Sequence, residues 1–135
     1  MAATQIIPNT GTQFTATFAA GAAIAGTSQK PILVYLTAEM AVSSTTAAAT
    51  DEAIGTVIDT VASGEQVTVY LFGPIMQMTA GETIAAGEFV GPSTVTAGHV
   101  DDADATGDVI VGKALQAAVV GEQLAVLCNC LTLAL

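Results

Sequence analysis

Asp102, Asp104 and Thr106 place oxygen-bearing side chains at positions one, three and five of a loop, and Gly107 stands at position six. That spacing opens a calcium-binding loop, in which hard oxygen ligands alternate along the chain and glycine makes the sharp turn. Position twelve, where such a loop needs a bidentate carboxylate, is Lys113. A cation there repels the ion, so Asp101 to Asp108 reads as a solvated acidic loop, and no metal ligand is assigned. His99, just ahead of it, is the single histidine and the one side chain suited to base chemistry near neutral pH. No motif surrounds any serine or cysteine that it could activate, which leaves it solvated or locally hydrogen-bonded. Cys128 and Cys130 stand two apart in a strand-like run. Alternation turns both to one face, where the geometry for bonding each other is poor, and one histidine adds too few ligands for a zinc site. They read as reduced, buried thiols. Neither a phosphate-cradling glycine loop nor a dinucleotide fingerprint occurs. The chain therefore reads as a non-enzyme, with no catalytic residue, no cofactor and no metal.

The surrounding elements are short and strand-like. In QFTATF, Phe14, Ala16 and Phe18 fall on one face and Thr15 and Thr17 on the other, the pattern of a half-buried strand. KPILVYLTAEM is an apolar run behind Pro31, rich in β-branched and aromatic residues and short enough for a buried strand. AVSSTTAAATDEA sets no period and reads as a loop. Val67, Val69 and Leu71 alternate with Thr68, Tyr70 and Phe72 before Gly73-Pro74 bends the chain. LAVLCNCLTLAL is apolar on nearly both faces, so it lies in mid-core or at a subunit interface.

One phrase is written twice. Gly55, Gly64, Glu65, Gln66 and Val69 recur fifty-seven residues later as Gly112, Gly121, Glu122, Gln123 and Val126, without a gap. Ala20 to Gly26 similarly resembles Ala80 to Gly87 at an offset of sixty. Each long phrase reads strand, Gly-Glu-Gln turn, strand, which is a hairpin. Residues 1–12, polar and marked by Pro8 and Gly11, read as an extended arm. Residues 13–135 read as a single β domain, which the echo divides into two candidate hairpin units at about 14–72 and 73–131.

Composition narrows the partners. Twelve acids face only Lys30 and Lys113, a formal charge of −10, while 52% of residues are hydrophobic and 10% charged. Binding to DNA or RNA is excluded, because lysine and arginine supply most of that affinity. An anionic membrane surface is disfavoured on the same ground. The N-terminus lacks a basic and apolar leader pattern, and no apolar stretch approaches a membrane span. A low-charge surface of Ala, Thr, Ser and Gly suits contact with protein.

From Lys30 to Leu127, through KPILVYL, AIGTVIDTVASGEQVTVYLFGPIMQM, AGETIAAGEFVGP and VGKALQAAVVGEQLAVL, the chain resembles the head decoration and capsid cement proteins of tailed bacteriophages. These strand-and-turn patterns carry no catalytic residue. The resemblance implies a mainly β fold, a small β-sandwich or tulip-like β-barrel with an extended N-terminal arm and little helix. It further implies a homotrimer on the outer surface of the expanded capsid, assembled in the host cytoplasm. Such a trimer would bind the major capsid protein and stabilise the shell against DNA pressure. Capsid contact is assigned on this basis to Thr4, Gln5, Ile6, Ile7 and Pro8. Leu124, Val126, Leu131 and Leu133, in the apolar last strand, are the expected trimer interface. Two other readings compete. A surface-layer, pilus or adhesin subunit shares the composition, although the sequence lacks an export signal. A β-clip ligand module could contain TIAAGEFV, yet the cations and histidines that would line its pocket are nearly absent.

Overall fold

Runs of Val, Ile, Thr and Tyr favour the pleated, half-buried surface of a sheet, and glycine-centred turns separate them. The computed structural model describes residues 14–128 and the backbone of residues 133–134. Among these residues every helix or strand is a strand, so the expected mainly β fold holds. Thr15–Ala20 (β1), Ile24–Ala25 (β2), Ile32–Ala38 (β3), Ala41–Ser44 (β4), Ala53–Val57 (β5), Thr60–Val61 (β6) and Gln66–Leu71 (β7) build the first half. Ile75–Thr79 (β8), Phe89–Pro92 (β9), Val100–Asp102 (β10), Val109–Ile110 (β11), Gly112–Ala114 (β12), Gln123–Leu127 (β13) and Leu133–Ala134 (β14) build the second.

In the first half, strands in the order β1-β4-β3-β5-β7 close into a barrel. In the second, a five-stranded sheet runs β10-β9-β12-β13-β8, and a parallel bridge from Ala80 to Val100 links its two ends. The two arrangements correspond strand for strand, β8 to β1, β9 to β3, β10 to β4, β12 to β5 and β13 to β7. Their registers correspond as well. Thr56 pairs with Tyr70, and fifty-seven residues on Lys113 pairs with Leu127. Thr15 pairs with that same Tyr70, and Ile75 with that same Leu127. Gly64 N–H donates to Ala20 O at 2.7 Å, and Gly121 N–H to Ala80 O at 2.8 Å. Both echoes in the sequence therefore mark one strand arrangement used twice.

The repeated glycines are required by this geometry. Gly64 and Gly121 have φ of 86° and 85°. Each is the third residue of a turn closed by Glu65 N–H to Ala62 O at 3.1 Å, or Glu122 N–H to Val119 O at 3.0 Å. That position needs a left-handed backbone, which glycine adopts without penalty. The glutamate then completes the turn, its carboxylate accepting from Ala62 N–H at 2.6 Å or Val119 N–H at 2.9 Å. Gly55 and Gly112 answer a different demand. A Cβ would stand 2.3 Å from Tyr70 O at one and 2.4 Å from Leu127 O at the other, so only glycine permits the strand approach.

Each half has its own core. Phe18, Ile24, Val34, Val42, Val57, Val67 and Val69 fill the first, and Met78, Ile84, Val90, Val100, Val111, Leu124 and Val126 the second. Strand β3 is shared, with Ile32 and Val34 in the first core and Leu33 in the second. One expectation is corrected here. Within the stretch read as a loop, Ala41–Ser44 forms β4, and Val42 is fully buried. A single apolar residue suffices because β4 is flanked by partners, parallel to β1 and antiparallel to β3. Among the described residues no helix is long and apolar enough to cross a membrane.

Candidate functional site

The residues with chemical potential gather around β10, and their geometry is structural. Asp101 is only 5% exposed, contrary to the solvated loop read from sequence. Its Oδ2 accepts from Thr94 N–H at 2.9 Å and from the Thr94 hydroxyl at 3.5 Å. Pairing of β10 with β9, Asp101 opposite Gly91, draws it inward. His99 lies on the same side of this strand, and its Nδ1 is buried without a hydrogen bond. Burial pushes its pKa down, against a backbone hydrogen bond with Ala80 that pushes it up. It is thus a half-buried, locally bonded histidine rather than a solvated one.

Glu82, Asp101, Asp102, Asp104 and Asp108 line a cavity of about 270 Å³. Glu82 is pushed up to about 7, first by its hydrogen bond with Asp102, then by burial and the charges of Asp101 and Asp102. Asp108 is committed elsewhere, accepting from Ala105 N–H at 3.0 Å across another glycine turn. Lys113 stands in β12, outside this cavity. Among the described residues no cluster of three or more His, Cys, Asp or Glu is placed to hold a metal ion. Cys128 is buried, its thiol 3.8 Å from Val126 O.

The expected assembly residues fall into two groups. Thr4, Gln5, Ile6, Ile7 and Pro8 lie outside the described residues, as do Cys130 and the side chains of Leu131 and Leu133. Leu124 and Val126 have no exposed surface in the single chain, where they belong to the second core. Their burial is complete without a partner, so they offer no area to a trimer contact. The outward residue of that strand is Leu127, 38% exposed. It continues a row across the sheet, Phe89 beside Lys113, Lys113 beside Leu127 and Leu127 beside Ile75. The Lys113 ammonium sits 5.2 Å from the centre of the Phe89 ring, within reach of a cation–π attraction. Leu36, near the end of β3, and Met40, on the turn from β3 to β4, are 49% and 55% exposed. Sequence reading missed this row and this turn, although strand alternation around Lys113 and Leu127 carries part of the signal.

Comparison with known proteins points to a structural role in the phage head. The sequence model of a family described as phage cement protein matches residues 27–129, well over half of the chain and parts of both halves. The crystal structure of the base of a head fibre, gp8.5 of bacteriophage phi29, has a similar fold. Its TM-score is 0.66 at 17% sequence identity, over 90% of this chain and 98% of that one. Comparison with curated protein sequences gives no match.

Proposed function

This chain belongs to the phage cement protein family, and from that premise we propose that it is a homotrimeric cement for the outer surface of the expanded phage head. A structural role in the phage capsid follows from the family; the oligomer, the site and the mechanical task are our reading. The observation that carries it is the family match across both halves. The physical setting supports it. A DNA-filled shell is loaded outward, and junctions between capsomers are its weak points. A trimer engages several capsid subunits at once, so weak individual contacts add through effective concentration. We assign contact with the major capsid protein to the N-terminal arm, at Thr4, Gln5, Ile6, Ile7 and Pro8. A formal charge of −10 keeps the protein off the genome and favours any basic patch on the shell. Assembly in the host cytoplasm, before lysis, suits a chain with reduced cysteines.

Electron microscopy of shells decorated with the purified protein tests this reading. Added density on the outer surface at three-fold or quasi-three-fold positions is expected. Density on the inner surface, or at isolated two-fold sites, would sink it.

A further inference from the structure

The two halves of one chain already meet through a defined row. On the first half, Leu33, Thr56 and Tyr70 are neighbours across β3, β5 and β7. Leu33 and Thr56 are 1% and 3% exposed, Leu33 sits in the second core, and Tyr70 packs against it. The second half covers this row with β8 and with the loop before β10. Met76 of β8 lines the same small cavity as Thr56 and Tyr70. Gly98 of the loop accepts at its carbonyl from Leu33 N–H at 2.7 Å and backs onto the Ile32 side chain.

The matching registers carry each position onto the second half. Leu33, Thr56 and Tyr70 become Phe89, Lys113 and Leu127, paired in the same way. There the row is open, with Phe89 44% exposed and Lys113 also exposed. The covering loop has an equivalent too. Ala20 pairs with Val42 as Ala80 does with Val100, both parallel, which places Met40 where Gly98 stands. Met40 is the single non-glycine residue of positive φ among the described residues, at 52°. A left-handed backbone at an exposed, adaptable methionine is a conformation retained where a contact uses it. Each chain therefore has one row and one tip engaged with each other, and a second row and a second tip of the same build left over.

We propose that the free tip of one copy, Leu36 to Met40, docks on the free row of the next, Phe89, Lys113 and Leu127. The contact between copies then repeats the contact within the chain. This inference rests on the homotrimer reading and supplies its interface. Charge identifies a second copy as the occupant. The tip carries exposed Glu39 beside Met40, and the row carries Lys113. At the corresponding positions of the internal contact stand Ala97 and Thr56, neither charged. A two-fold contact centred on the row would set Lys113 against Lys113 in apolar surroundings. Tip on row is instead heterologous, and a heterologous contact forms a closed ring when its rotation permits.

The test uses the full chain with Cys128→Ala and Cys130→Ala as background, adding Met40→Cys and Phe89→Cys together. Oxidation is expected to give covalent species up to three chains from the double variant, and none from either single variant. Glu39→Lys and Lys113→Glu should each weaken self-association about tenfold or more, and the two together should restore it. All four positions are exposed, so the variants keep their fold. If the native chain sediments as a monomer, the homotrimer reading itself fails. If it is a trimer but the cysteine pair stays unlinked and both charge variants assemble like the native chain, tip-on-row docking is overturned while the trimer stands.

Discussion

The doubled arrangement permits a matched set of substitutions, Gly55→Ala, Gly112→Ala, Gly64→Ala and Gly121→Ala. At Gly64 and Gly121 an added Cβ meets nothing within 4 Å, so the cost is that of the backbone alone. A left-handed L-residue costs about 1–2 kcal/mol. In a domain of this size that lowers the melting temperature by roughly 3–8 °C. At Gly55 and Gly112 the Cβ would press on a carbonyl oxygen at 2.3 and 2.4 Å. Those atoms belong to the paired strand, so relief requires moving β7 or β13 and loosening the core beneath. A penalty of about 3 kcal/mol or more is expected. Thermal melts followed by circular dichroism, with urea titration to obtain free energies, read all four. The severe pair should be Gly55 and Gly112, the mild pair Gly64 and Gly121, with similar penalties within each pair. A Gly112→Ala variant melting within a degree of the native protein would refute the close-approach reasoning.

Val126→Asp buries an unpaired carboxylate in the second core and should cost upwards of about 4 kcal/mol, abolishing a cooperative melt, whereas Leu127→Asp should fold normally. A folded monomer from Val126→Asp would return that residue to an interface. Glu82, with a folded pKa of about 7 against an ordinary 4.5, contributes stability that is present below pH 4.5 and lost as pH rises through about 7. Glu82→Gln keeps an acceptor for Asp102 N–H and removes the titration, so the melting temperature of the variant should gain on the native protein between pH 5 and pH 8. A difference that stays constant over that range would rule out the crowded carboxylate as its source. Millimolar calcium, with EGTA as the control, should leave the melting temperature unchanged, and a rise of several degrees would establish a cation site in the acidic cavity.

The doubling was legible in the sequence because its markers are backbone demands. A positive φ at Gly64 and Gly121, and a carbonyl in the path of any Cβ at Gly55 and Gly112, fix glycine at a constant spacing. Strand β4 was not legible. Its one core residue, Val42, lies among Ser, Thr and Ala, and one of its two partner strands, β1, is distant in sequence. Alternation likewise assigns residues to faces without saying what covers a face. Leu33 and Phe89 occupy equivalent outward positions, yet one is buried by the other half of the chain and one is not. For the same reason the dryness of Leu124 and Val126 could not be divided between core and interface until the second core was seen. Asp101 was missed because a run of acids reads as solvated, while strand pairing pulls one of them inward.

The most direct measurement is co-sedimentation of the purified protein with phage shells stripped of their cement, expanded and unexpanded, counting bound copies per shell. Saturable binding to expanded shells, in a fixed whole-number ratio to capsid subunits and with a higher temperature of shell rupture, is the expected result. Binding that never saturates, or protein left wholly in the supernatant, would contradict a role as capsid cement.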